Sequence, residues 1–422
     1  MKRLFDRRSF ISTAGLGVGA GILGIQQSCK STGLVAVPPD QGLDGTREVI
    51  PGFDQTATTA DITTPWVPVS DRKIRMGLVG YGACKFAAEF SLQYHPNVEV
   101  VAVSDLFPDR CEELAKAARC SKKYPSLEEM LKDDSIEAIF LATDPPNHAR
   151  HCIETLKHGK HAAVAVPAVF HDIDEADELL ETVKKTGLVY MMFETSAYRD
   201  NLYAMRHIYQ AGGFGKIIYS EGEYYHYSDQ KYYPSYKDWR TGVPPQMYPT
   251  HSNAYYISVT GHSFTEVSCW GNKSILEQYQ AHNNAYKNPF GSEFALFKTS
   301  EGGVSRMNVC WDTIGEYRET GRVRGEIGTY EDEYKGYEGL LAGQNIVRQL
   351  NLIKPSLPPH VYPGAHGGSH GYLGNEFVMA ILENRRPVVD VVAALNMTVA
   401  GLIAHKSAMR DGETLKIPQY SW

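Results

Sequence analysis

The sequence predicts an α/β chain: a doubly wound parallel sheet, then an α+β region built on an open, mostly antiparallel sheet. Three observations predict it. Strand and helix patterns alternate from residue 74 to residue 193; a turn holding Gly80 and Gly82 ends the first strand and opens a helix; and after residue 216 strands follow one another without intervening helices. Alternation at these lengths requires right-handed crossovers, and so a parallel sheet. Consecutive strands without crossovers pair antiparallel.

The first strand is 75–80 and the helix after it 84–94. The second strand, 98–104, leads to a helix over 109–119. Ser126, with Glu129 three residues on, starts a short helix to residue 132, because a serine hydroxyl there caps the free N–H groups of the first turn. Residues 138–143 read as a strand, apolar as far as Ala142, as a strand covered on both faces requires. Helices 148–158 and 172–186 stop at Gly159 and Gly187, residues suited to the left-handed cap position. Strands 161–166 and 188–193 complete the first sheet. A helix over 199–211 closes at Gly212-Gly213, and 216–227 alternates like an antiparallel strand. Further strands follow at 265–270, 293–299 and 304–311. Helices 372–384 and 391–410 are expected to pack back onto the body. The pattern contains no internal repeat.

A chain of 422 residues can bury a large core and is expected to hold about two domains. Its 42 basic and 49 acidic residues leave a net charge of -7, with no basic stripe for phosphates, which excludes a nucleic-acid partner. Arg7-Arg8 precede a Gly- and Ala-rich apolar stretch, 14–25, too short for a membrane-spanning helix. This pattern resembles a twin-arginine export signal over residues 1–29, so the expected location is periplasmic. Cys29 sits where a lipidated cysteine would, but Gln26 is a poor third residue before it, so a free and a lipid-anchored protein are both open readings. Residues 30–72 read as a linker or arm, either unstructured or wrapped on a neighbouring subunit. The expected division of the rest is a dinucleotide-binding domain over 73–195 and a substrate and oligomerisation domain over 196–422. The remaining cysteines show no CxxC pair and no metal-ligand spacing, so no metal is expected. His366-Gly-Gly-Ser-His370 supplies two histidines without a third ligand, and reads as a Gly-rich loop able to reach an active site.

The first strand runs into Gly80-Tyr81-Gly82-Ala83-Cys84-Lys85. The first glycine permits the tight turn, and the second lets backbone approach a pyrophosphate at the helix N-terminus. Lys85 stands where the third glycine of this fingerprint usually is. Asp105 ends the second strand about 25 residues on, where a carboxylate accepts from ribose hydroxyls and repels a 2′-phosphate. That favours NAD over NADP; the plainer reading makes Asp105 a turn residue.

Ala142-Thr143-Asp144-Pro145-Pro146-Asn147-His148 resembles the TPxxxH segment of Gfo/Idh/MocA proteins, and 156–161 followed by Pro167 resembles their AGKHVxxEKP strand. The resemblance runs from about residue 75 to the C-terminus. It implies a Rossmann domain with NAD as cofactor, Thr143, Asn147, His148 and Val166 beside the nicotinamide, and an open-sheet domain that carries the substrate pocket and often an oligomer contact. Where the family has Glu-Lys-Pro, this chain has Ala165-Val166-Pro167, so the lysine that assists proton transfer at the carbinol is missing. Trp239-Arg240, Tyr248-Pro249-Thr250-His251 and Glu194-Thr-Ser-Ala-Tyr198 resemble the branch of NAD-dependent glycosidases typified by α-N-acetylgalactosaminidase. That branch implies oxidation at C3 of the sugar, loss of the acidified C2 proton, departure of the C1 substituent, addition of water and return of the hydride. It also implies roles: His251 as the base at the hydroxyl, Tyr198 for the C2 proton, Tyr248 as a helper, and Arg240 with Trp239 as substrate contacts. A histidine near its working pKa suits the first role. The alternatives are a conventional sugar or polyol dehydrogenase, and a non-catalytic sugar-binding protein that retains a nucleotide.

Overall fold

Apolar runs become the strands of a parallel sheet whose faces are both covered. Such runs form β1 (Ile74–Val79), β2 (Val98–Ser104), β4 (Ala138–Leu141), β5 (His161–Val164) and β6 (Tyr190–Met192), with the two-residue β3 (Lys123–Tyr124) at the edge. Their order is β3-β2-β1-β4-β5-β6, every pair parallel. The chain reverses direction across the sheet between β1 and β4, and a crevice opens there at the strand C-termini. The computed structural model describes residues 66–227, 235–315, 317–337, 345–346 and 354–422. The expected export signal, Cys29 and the arm as far as residue 65 lie outside these.

The crossover helices are α1 (Phe86–Glu89), α2 (Pro108–Ala118), α3 (Leu127–Leu131), α4 (His148–Lys157) and α5 (Asp174–Thr186). Ser126 caps α3 as its spacing predicts, accepting from the Glu129 N–H at 3.3 Å. Gly187 ends α5 with φ 65°. The helix predicted over 84–94 is not continuous. Lys85 and Ser91 adopt left-handed φ of 50° and 59°, and only one α turn and a 3-10 turn stand between them and His95. Phe90 is the reason: its buried ring is fixed among Phe140, Phe193 and His370, with centroids 4.5–5.3 Å away, and a straight helix would carry it elsewhere.

After a 3-10 turn at Thr195–Tyr198 and α6 (Asp200–Gln210), the chain builds a nine-stranded sheet. Its strands are β7 (Ile217–Tyr225), β8 (Phe264–Lys273), β9 (Phe290–Thr299), β10 (Val304–Cys310), β11 (Arg318–Gly325), β12 (Gly328–Tyr330), β13 (Tyr334–Tyr337), β14 (Asn345–Ile346) and β15 (Leu415–Lys416), in the order β14-β13-β12-β11-β7-β10-β9-β8-β15. All pairs are antiparallel except β7 with β10. The last five strands in the chain carried no recognised signal, three of them being only two or three residues long.

The unpredicted helix α7 (Thr250–Thr260) lies against the inner face of this sheet. Gly222 of β7 makes that approach possible: a Cβ there would meet the Ser252 carbonyl oxygen at 2.1 Å. Helices α8 (His370–Leu382) and α9 (Val391–Ala408) follow. Of the described helices, α9 alone is long and apolar enough to cross a membrane, but it is buried along most of its length against β8, α7 and α5.

Candidate active site

The crevice at the end of β1 has the shape a dinucleotide needs. Gly80 has φ 91°, and a Cβ on it would meet the Ala142 carbonyl oxygen at 2.3 Å, so only glycine fits. Gly82 faces open space. Asp105 accepts from the Tyr81 N–H at 2.6 Å and the Phe107 N–H at 2.8 Å, so the same carboxylate that can meet a ribose also shapes the turn. A cavity of about 280 Å³ runs past Tyr81, Ala83 and Cys84 to Thr143, Asn147 and Val166. These residues fit NAD in their donor set and in the room they leave.

Residues of the TPxxxH-like segment are tied to one another. Thr143 Oγ1 lies 2.9 Å from His151 Nδ1, and Asn147 donates to Asp144 at 2.8 Å. His148 is buried, its two ring nitrogens 2.8 Å from the Pro167 carbonyl and 3.1 Å from that of Thr143. It braces the two loops that form the crevice wall. Burial holds its pKa below the ordinary value.

A second cavity of about 300 Å³ adjoins the first. Cys84, Ala165, Val166, Trp239, Arg240 and Tyr248 line both, so the two cavities meet there. Ala165 and Val166 put no ionisable group there. Trp239 packs edge-on to Phe170 with centroids 5.7 Å apart, and the Arg240 guanidinium lies 4.4 Å from the Trp239 ring.

His251, on the first turn of α7, is buried and lines this second cavity. Its Nδ1 lies 2.7 Å from Glu194 Oε1, and the Ser196 N–H donates to the same oxygen at 2.8 Å. With Nδ1 committed to the carboxylate, the lone pair of Nε2 is left for chemistry. Burial alone would lower the imidazole pKa; the Glu194 and Glu319 carboxylates outweigh it and hold the value above normal. Glu319 opposes its own burial through His251 and Arg199, which pull its pKa down to about 2. Arg199 donates to both its oxygens at 2.7 Å, Ser196 donates at 2.5 Å, and the Tyr317 hydroxyl also donates to it. Donor atoms of Glu194, His251 and Glu319 lie within 4.8 Å of one another, a grouping able to hold a cation. Here Arg199 already supplies the positive charge.

Tyr317 stands just before β11 and its hydroxyl reaches Glu319 within the strand, and the register sets Glu319 opposite Tyr224. The Tyr224 ring stands edge-on to His251 with centroids 4.5 Å apart, and Trp311 stands edge-on to Tyr224 at 5.3 Å. Tyr248 also lines the cavity, its phenol pKa pushed strongly up by burial.

Tyr198 is a correction to the sequence reading. It is buried outside the cavity lining, stacked on Tyr372 with centroids 5.9 Å apart and with the Arg206 guanidinium 5.1 Å from its ring. The 3-10 turn that directs Glu194 and Thr195 towards His251 turns Tyr198 away. Tyr317, Trp311 and Glu319 were not singled out in the sequence, and Glu194 was read only as part of the 194–198 segment. The two-residue spacing of Tyr317 and Glu319 was their only local signal. The His366-Gly-Gly-Ser-His370 segment does reach the site, with both histidines in the cavity lining.

Residues 74–194 match the family described as "Oxidoreductase family, NAD-binding Rossmann fold", Gfo/Idh/MocA. The chain is 24% identical over 358 residues to a "Glycosyl hydrolase family 109 protein" of Saccharopolyspora erythraea, covering 78% of this chain and 73% of the relative. It is 30% identical over 192 residues to "Glycosyl hydrolase family 109 protein 1" of Bacteroides thetaiotaomicron, where the match spans 42% of this chain and 41% of the relative. The fold is similar to that of scyllo-inositol dehydrogenase from Lactobacillus casei, solved with NAD(H) and scyllo-inositol, with a TM-score of 0.63 at 15% identity over 82% of this chain and 99% of the other.

Proposed function

We propose that this chain is an NAD-dependent enzyme of the Gfo/Idh/MocA type, the family whose model matches residues 74–194, and that it acts on a sugar or glycoside by hydride transfer at a ring carbinol. The reaction we assign is redox-neutral glycoside cleavage through a 3-keto intermediate. One observation carries this reading: at the junction of the two cavities the place of the carbinol lysine is taken by Val166, while a histidine–glutamate pair lies at the adjoining wall. Bound NAD supplies a hydride acceptor that becomes the donor again at the end of the cycle.

The chain's own residues do the rest. His251 takes the carbinol proton on Nε2, and Glu194 holds the ring and stabilises the imidazolium that forms. Arg240 offers a fixed fork of donors to sugar oxygens. Trp239, Trp311 and Tyr224 present the aromatic faces and edges that suit the apolar side of a sugar ring. Tyr248, at the junction, is a neutral hydroxyl able to donate to a developing oxyanion. The residue pattern at 1–29 supports export in the folded state to the periplasm, with Cys29 a possible lipid attachment point. Exposed apolar residues on the outer sheet face support self-association.

The test is an incubation of purified protein with aryl glycosides in deuterated water without added NAD. Mass spectrometry of the denatured protein should release NAD, and the aglycone should appear with deuterium at C2 of the sugar and no net NADH. Stoichiometric NADH would instead identify a conventional dehydrogenase, and neither signal across a broad sugar panel a binding protein.

A further inference from the structure

Redox-neutral cleavage sets a condition that net oxidation does not. The reduced dinucleotide must stay in place until it returns its hydride. If it left early, glycoside and NAD would end as 3-keto glycoside, NADH and a proton, and the chain would act as a dehydrogenase. Dinucleotide release must therefore be slower than the catalytic cycle.

We propose that residues 235–240 are a clasp that holds the dinucleotide through the cycle, with Tyr236 closing on Phe107 over the adenosine half. This rests on the reading of the first cavity as a NAD site and of the reaction as redox-neutral cleavage. It adds Tyr236 and Phe107 to the residues that hold the cofactor.

The first cavity is walled from two sides. Leu106, Phe107 and Arg110 come from the chain after β2, and Tyr236 and Lys237 from the segment after β7. The two sides meet: the Tyr236 ring stands edge-on to that of Phe107, with centroids 6.0 Å apart. Behind Phe107 the Arg110 guanidinium lies 4.4 Å from its ring. Leu106 and Phe107 are 59% and 38% exposed, directly after Asp105, the carboxylate placed to meet a ribose. Apolar side chains left open at that point offer a surface for the adenine that follows the ribose, and an aromatic ring stacks on any base. Lys237 adds a charge of the sign that a pyrophosphate attracts.

The segment is built to stay in this place. Lys237 and Asp238 adopt left-handed φ of 51° and 54°. Two successive non-glycine residues in that region cost energy, and such backbone persists where its surroundings enforce it. The Arg240 N–H donates to Ser235 Oγ at 3.0 Å, which closes the turn on itself. The Tyr286 hydroxyl donates to the Trp239 carbonyl at 2.6 Å, and the Asn288 amide to the Gly242 carbonyl at 3.1 Å. Gly242 has φ 64°, and a Cβ there would meet the Gln278 carbonyl oxygen at 2.3 Å. One end of the clasp is thus fixed to its own half of the molecule, and the other reaches across to Phe107.

The test measures release apart from turnover. Purified protein carrying its dinucleotide is mixed with excess isotopically labelled NAD, samples are desalted and denatured, and mass spectrometry follows replacement of the unlabelled form. In the parent, exchange should be slower than turnover of an aryl glycoside. Tyr236→Ala and Phe107→Ala should each speed exchange about 10- to 100-fold, because a lost stacking or closing contact acts mainly on the off-rate. Tyr236→Phe restores the ring and should return exchange towards the parent rate. With added NAD and glycoside, both alanine variants should release NADH and 3-keto glycoside. Parent-rate exchange in both alanine variants overturns the proposal, as does a parent whose NAD exchanges faster than it turns over. Phe107 is partly exposed, so Phe107→Ala decides the matter if Tyr236→Ala does not fold. A parent that itself accumulates NADH removes the redox-neutral reading, and one that neither carries nor takes up a dinucleotide removes the NAD reading. Both results are distinct from unchanged exchange in the variants.

Discussion

At His251 the sign of the pKa shift decides what the carboxylates do. The buried ring would lose its proton below its ordinary pKa, and Glu194 and Glu319 reverse this. Glu194→Gln keeps an acceptor at the ring and removes the nearer charge, so burial should win and the imidazole pKa fall. Since only the neutral ring can act as base, the acid limb of kcat/KM should move to lower pH, with a plateau about 10- to 1000-fold lower. A pH–rate profile checks both; an unmoved limb would show that Glu194 does not set the base. The linkage runs the other way for folding: the pair's stabilisation is complete below the unfolded imidazole pKa and is lost as pH rises through the raised one. The variant should therefore lose more stability in urea at pH 5.5 than at pH 9. Asp105→Ala should raise the NAD Kd about 10- to 100-fold by calorimetry, because it removes a ribose acceptor and also frees the Tyr81 and Phe107 N–H groups. Asp105 was legible because a local motif, strand–turn–helix, fixes its surroundings. The meeting of Glu194 with Glu319 was not: 125 residues separate two carboxylates that come together around His251 and Ser196.

At the level of elements, the first sheet was the easier half to read. Its helices bury one stripe each, and α2, α4 and α5 carry the resulting 3.6-residue pattern. Helix α7 is buried on nearly every side, so it shows no polar face and no period, and it went unrecognised. Its position depends on Gly222, where a Cβ meets main-chain oxygen rather than a flexible side chain. Gly222→Ala should push α7 off β7, costing about 1–3 kcal/mol in urea unfolding and, because Ser252 neighbours His251, most of the turnover. Wild-type stability and activity in this variant would mean that α7 can be displaced without consequence for the site. Tyr198 shows the opposite failure. Its position in the motif is right, but a 3-10 turn of four residues sends alternate side chains in directions that a sequence pattern does not encode.

For the molecule as a whole, the two faces of the second sheet differ in chemistry. The inner face carries the site and α7. On the outer face, ion pairs join β7 to its neighbours, Glu221 with Arg306 and Arg322, and Glu223 with Arg306. Beyond them Trp270, Phe294 and Leu296 are 52%, 39% and 45% exposed, Trp270 directly opposite Phe294. The proposed self-association is expected to use this apolar end. Leu296→Glu should reduce the mass in light scattering to that of one chain while NAD stays bound; a parent protein that is already monomeric at micromolar concentration would remove the expectation.

The sequence alone determined what local physics determines: the order of strands and crossovers, the glycine turn that admits a pyrophosphate, and the carboxylate at the end of β2. These follow from hydrophobic period and from backbone conformations that only certain residues adopt. Tertiary structure decided which ionisable groups share a cavity. It gave Glu194 to His251, gave Arg199 to Glu319, admitted His366 and turned Tyr198 out. The reason is that burial and charge pairing act through space, and the side chains that desolvate or neutralise one another here come from segments far apart in the chain, 57 residues for Glu194 and His251 and 120 for Arg199 and Glu319.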